Sequence, residues 1–137
     1  MKFAQWTYRI AGLLGLLETV PALWGENAFG RDYPPAINHP VFYYGFLVVV
    51  ICWQLAFLII STDPVRYRPL MWATFFDKFG YVLAVAILYT QQRLAGPFLV
   101  FAAIDFIAGV AFVIAYLLTS KEAAAFRTPG RSPTGNR

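Results

Sequence analysis

The chain has 137 residues, 59% of them apolar and only 13% charged, with a formal net charge of +4. Soluble domains run at roughly 45–50% apolar and about 25% charged, and one small core could not hide the excess apolar surface. An ordinary soluble globule is excluded, and a one-domain membrane protein remains.

The apolar residues fall in four blocks, each close to the roughly 20 residues a helix needs to cross the hydrocarbon layer. The first expected span is residues 3–24. Lys2 precedes it as in a signal peptide, but Glu18 interrupts the apolar run. No small-x-small cleavage site follows at Ala22-Leu23-Trp24-Gly25, so the span is expected to be retained. Pro21 lacks the N–H that the Leu17 carbonyl would accept, which opens the backbone beside Glu18. Residues 25–40, rich in Pro, Gly and Asn, read as a long turn-laden loop. His39 sits there without a Cys or second His, so it reads as a loop residue rather than a metal ligand.

The second span, 41–61, holds Gln54 and the only cysteine, Cys52, which rules out an internal disulfide and reads as a small packing residue. Gly45, Cys52 and Ala56 lie on the face opposite Gln54, so the buried face of this span stays open. "TDPVRYRPLM" is a short basic connection, with Asp63 as an N-cap and Pro64 as a first helical position. The third span, 72–92, carries Asp77 and Lys78 side by side. "RLAGP" predicts a tight hairpin to the fourth span, 97–119, which carries Asp105. Residues 120–137 lose the hydrophobic pattern and contain Pro129 and Pro133, so a disordered basic cytoplasmic tail is expected.

Only a helix satisfies its own backbone in lipid without closing a barrel. The expected fold is therefore all-α, a bundle of four transmembrane helices over residues 1–119. Four spans put both termini on one side. That side collects Lys2, Arg9, Arg66, Arg68, Lys78, Lys121, Arg127, Arg131 and Arg137, against Arg31 and Arg93 opposite. The positive-inside bias places both termini in the cytoplasm. Trp6, Tyr8, Trp24, Tyr43, Tyr44, Trp72 and Tyr116 fall near span ends, as an aromatic belt would.

Charges inside spans are costly enough to require partners or water. Counting about 1.5 Å per residue, Glu18 and Asp105 fall in one outer layer. Ala11, Gly15, Glu18 and Ala22 share a helical stripe, as do Ala102, Asp105, Ala108, Gly109 and Phe112. Small residues mark close helix approach, so both carboxyls are expected to point inward and to share a proton as a ligand or proton site. An inner polar layer holds Arg9, Gln54, Asp77 and Lys78. In it Asp77 is expected to pair with Arg9 while Lys78 snorkels to the headgroups.

The opening "YRIAGLLGLLETVPAL", an Arg entering a Gly-rich first span, resembles the start of DoxX-like proteins, small four-helix bacterial membrane proteins, and the layout over residues 1–119 is similar. Glu18 and Pro21 stand where that family usually has Gly-x-x-Lys, so the resemblance implies the fold and no activity. The pair Glu18 and Asp105 also gives a looser likeness to the four-span sterol-isomerase group.

No phosphate loop, nucleophile elbow, zinc motif or heme-ligating His pair is present, so no catalytic residue, metal or cofactor is expected. The expected function is binding of a lipid or quinone-like hydrophobic molecule, or service as an accessory subunit. The expected partners are membrane lipids, such a ligand, and a second copy or a larger membrane complex; no nucleic acid is. The alternative is an isomerase-like intramembrane enzyme or proton-coupled carrier using Glu18 and Asp105.

Overall fold

The computed structural model describes residues 1–94, 96–120 and 124, and the described residues contain helices and turns without a strand. The expected tail lies outside the described residues, apart from Ser120 and Ala124. Five α-helices follow one another: α1 (Lys2–Ala22), α2 (Glu26–Asp32), α3 (Pro40–Thr62), α4 (Met71–Thr90) and α5 (Phe98–Leu118). A short 3-10 turn, Arg68–Leu70, leads into α4.

Three of these segments, Pro40–Thr62, Arg68–Thr90 and Phe98–Leu118, are long and apolar enough to cross a membrane. No more than 28% of any of the three is buried within the chain. Leu13, Leu17, Phe42, Phe76, Leu83 and Ile107 all face outward, a display that water does not tolerate over whole helices. The chain is an all-helical protein with membrane-type helices. Four such spans were expected, and α1 is the one that falls short. Its 21 residues include Lys2, Arg9 and Glu18 beside its leucines, which lowers its apolar character.

The loop expected over residues 25–40 is a correction, because it contains α2. Gly25 precedes the helix, Glu26 sits in its first turn and Arg31 in its last, which is the order the helix dipole favours. Phe29 of this helix and Tyr33 at its C-cap pack against Tyr43 and Phe98, with centroids 5.2–6.4 Å apart. Hydrophobic docking, not turn chemistry, decides this segment. Arg31 donates to Asp32 Oδ1 at 2.8 Å, and that hydrogen bond holds the Asp32 carboxyl below its ordinary range.

The bundle is built by three main contacts: α1 against α3, α4 against α5, and α1 against α5. Gly12 of α1 meets the Gln54 carbonyl and Leu58 of α3 so closely that a Cβ would sit 2.9 Å from both. The buried face of α3, which the sequence left open, carries Leu47, Gln54, Phe57, Ile60 and Ser61. Gly45 and Cys52, on the other side, are exposed.

In the half of the bundle that holds the start of α1, Tyr8 stacks on Phe112 at 4.3 Å and meets Phe57 edge-on at 6.0 Å. Tyr8 is fully buried, which corrects its expected place in the aromatic belt. Its hydroxyl lies 2.9 Å from Thr74 Oγ1. Because Thr74 spends its one hydroxyl proton on the Met71 carbonyl at 2.7 Å, Tyr8 is the donor. Ser61 and Thr119 likewise bond carbonyls of their own helices, so these two buried hydroxyls need no outside partner. Tyr8→Phe should therefore cost about 0.5–1.5 kcal/mol, the worth of one hydrogen bond, read as a lower melting midpoint in detergent.

The expected hairpin between α4 and α5 is present, and its first turn is closed by an unusual residue. Gln92 takes φ 56°, while Gln92 N–H bonds Tyr89 O and Arg93 N–H bonds Leu88 O, each at 3.0 Å. Those two bonds form a Schellman cap, whose left-handed position favours glycine. Gln92→Gly should raise stability by about 0.5–1 kcal/mol, visible as a higher melting midpoint with unchanged helicity. Asp63 also caps as expected, although the helix it starts is only a turn: its Oδ1 accepts the Arg66 N–H at 3.1 Å.

Candidate functional site

The acid and base side by side on α4 turn the same way. Lys78 Nζ lies 2.9 Å from Asp105 Oδ1 and 3.3 Å from Asp77 Oδ2. Neighbouring residues on a helix point about 100° apart, but the four-carbon stem of lysine is long enough to return across Asp77. Side-chain exposure is only 12% for Lys78, 20% for Asp77 and 24% for Asp105. Lys78 Nζ also lies 5.4 Å from the centre of the Phe57 ring of α3, so the ammonium points into the bundle. Asp77 Oδ2 is itself buried and accepts no hydrogen bond; its contact with Nζ is electrostatic.

Gly109 positions this triad. A Cβ there would meet Phe79 at 2.9 Å and Lys78 Cβ at 3.2 Å, so glycine lets α4 approach α5 one turn below Asp105. Above the triad, an open groove of about 450 Å³ runs between the two helices, lined by Val82, Val85, Ala86, Leu99, Ala102 and Phe106. Val82 stands one turn beyond Lys78, and Ala102 one turn beyond Asp105. The groove is lined by apolar residues throughout. A volume of this size falls in the range of small-molecule sites.

No family model matches the chain, and neither a curated protein nor a solved structure is significantly similar to it. The site must be read from its own chemistry.

Two pairings expected from the sequence are corrected. Asp77 does not meet Arg9; Arg9 is exposed and lies over the Trp6 ring at 5.3 Å. Lys78 does not snorkel to the headgroups but reaches inward to two carboxylates. Depth alone suggested the first pairing, yet Asp77 meets Lys78 of its own helix. Glu18 and Asp105 form no direct contact: Asp105 holds Lys78, while Glu18 is exposed and makes no hydrogen bond or ion pair among the described residues. Gln54 is buried as expected of a layer residue, at 4% exposure. The sequence reading missed the Lys78–Asp105 pair, although Gly109 and Asp105 on one stripe already marked the close approach of a neighbouring helix.

At the start of α4, Arg68 stacks on Tyr116 at 3.6 Å and Trp72 donates to the Tyr116 hydroxyl at 3.2 Å. This cluster joins α4 to α5 at the base of the bundle. His39 packs edge-on to Phe42 at 6.0 Å.

Proposed function

We propose that this chain is a bacterial inner-membrane protein of the DoxX-like kind, with α1 completing a four-span bundle and both termini in the cytoplasm. Its function is to bind a small amphipathic molecule, lipid or quinone-like, between α4 and α5. The observation that carries this reading is the apolar groove between α4 and α5, whose lining residues Val82 and Ala102 stand one helical turn from Lys78 and Asp105. An apolar tail fits the groove, and a polar head meets the charges one turn away. Neither a nucleophile with a base nor a metal set lies on the groove, so binding is favoured over catalysis. The same surface suits an accessory subunit that presents its ligand to a larger membrane complex.

Native mass spectrometry of the protein released from a neutral detergent tests the reading. A retained hydrophobic molecule is expected, and Ala86→Trp, which fills the groove from an exposed position, should expel it. A ligand-free monomer, unchanged by Ala86→Trp, would overturn the proposal.

One observation favours a second reading, a proton-coupled carrier or isomerase-like enzyme. Two carboxylates share one ammonium, which leaves a carboxylate free to take a proton. Infrared carboxyl bands that shift between about pH 4 and 9 would support it; fixed bands would remove it.

A further inference from the structure

We infer that the turn between α3 and α4 holds the phosphate of an anionic phospholipid, gripped by Arg68 and Tyr116. This site is separate from the groove between α4 and α5 and does not depend on it. The first argument is what the two side chains lack. The Arg68 guanidinium lies on the Tyr116 ring at 3.6 Å, and its Nη2 donates to the Tyr116 backbone carbonyl at 3.4 Å. Its Nε is buried and has no acceptor. The Tyr116 hydroxyl accepts from Trp72 Nε1 at 3.2 Å, so its own proton points elsewhere, and no acceptor for that proton lies among the described residues. One stacked pair thus presents a charged donor and a hydroxyl donor, both short of acceptors, which is costly in a half-buried place. An anionic oxygen satisfies both, and the planar fork of arginine suits a phosphate.

Charge is the second argument. Arg66 and Arg68 lie two residues apart on this turn, and neither forms an ion pair with a described residue. The one carboxylate of the turn, Asp63, accepts the Arg66 backbone N–H at 3.1 Å. The Arg66 side chain is exposed, with its guanidinium 5.6 Å from the centre of the Tyr67 ring. Cations beside a membrane-type helix draw anionic lipids by about five-fold each.

The apolar surroundings choose the source of the phosphate. Leu70, Trp72 and Phe76 are all exposed, and Phe76 stands one turn beyond Trp72 on α4. An apolar track therefore leaves the cationic turn along a membrane-type helix. Free phosphate has no use for such a track. A phospholipid sets its headgroup on Arg68 and lays a chain along Trp72 and Phe76.

Native mass spectrometry of the full chain in a neutral detergent, titrated with dioleoyl phosphatidylglycerol or dioleoyl phosphatidylcholine, tests the inference. The wild type should retain phosphatidylglycerol about five-fold better. Arg68→Gln should abolish that preference. Tyr116→Phe, which keeps the ring under the guanidinium, should reduce it by about three-fold. Ala86→Trp, which fills the groove, should leave it unchanged. Equal retention of the two lipids by the wild type, or an unchanged preference in Arg68→Gln that remains folded by circular dichroism, would overturn the inference. If Arg68→Gln does not fold, an unchanged preference in Tyr116→Phe overturns it. Loss of the preference in Ala86→Trp would place the lipid in the groove, which sinks this site and keeps the proposed function. Displacement of the lipid by inorganic phosphate at matched ionic strength would make the site one for free phosphate, and the lipid would be wrong.

Discussion

Lys78→Met should lower the stability of the bundle by about 2–4 kcal/mol, just under the 3–5 kcal/mol typical when one member of a fully buried pair is removed. The reduction reflects the side-chain exposure of 12–24% in the triad, which leaves the charges partly solvated. Methionine keeps the length and most of the volume of lysine, so the loss reports charge rather than packing. It leaves Asp77 and Asp105 together without a cation, and one of them must take a proton or swing out. Asp105→Asn should cost less, about 1–2 kcal/mol, because Lys78 keeps Asp77. Replacing Asp77 and Asp105 by Leu in the Lys78→Met background should recover much of the loss, since an apolar trio needs no partners in lipid. Denaturation in mixed micelles, followed by circular dichroism, measures all three. A Lys78→Met change within about 0.5 kcal/mol of zero would mark a surface ion pair, and a site built on a buried triad would be wrong.

The fold was legible where periodicity and length speak for themselves. The spans at 41–61, 72–92 and 97–119 differ from α3, α4 and α5 by a few residues at their ends. The small-residue stripes were readable in part: Gly15 meets α3, and Ala102, Gly109 and Phe112 are buried on α5, but Gly12, outside the expected stripe, also meets α3 and Glu18, on it, is exposed. Helix α2 was hidden because seven residues cannot show a period; aromatic docking of Phe29 and Tyr33 holds it. The charged residues were found but wrongly paired. Counting rise along a helix gives depth well and rotation poorly, and the choice between Arg9 and Lys78 as partner depended on rotation. Tyr8 was misplaced for a related reason: near a helix end, a tyrosine in the belt and one in the core have the same sequence address. Gln54 shows a third case, where the small residues of its own helix lay opposite it and left the buried face open, and only contact with Gly15 decides.

The glycines give the other large expected effect, and they separate buried faces from open ones within one series. Gly12→Leu should cost about 3 kcal/mol or more, because its Cβ would sit 2.9 Å from the Gln54 backbone oxygen as well as Leu58. A backbone oxygen cannot swing aside, so α1 must leave α3, the most extensive contact of the bundle. Gly15→Ala meets mainly the Gln54 side chain, which can move, and should cost only about 1–2 kcal/mol. Gly45 and Gly80 have nothing within 4 Å of an added Cβ. Alanine there should be neutral or stabilising by about 0.5–1 kcal/mol, the usual gain over glycine inside a helix. Melting midpoints of the four variants in one detergent test the ranking. If Gly80→Ala cost as much as Gly15→Ala, the outer face of α4 with Phe76, Gly80 and Leu83 would be in contact with another chain, because nothing within this one opposes the added methyl group.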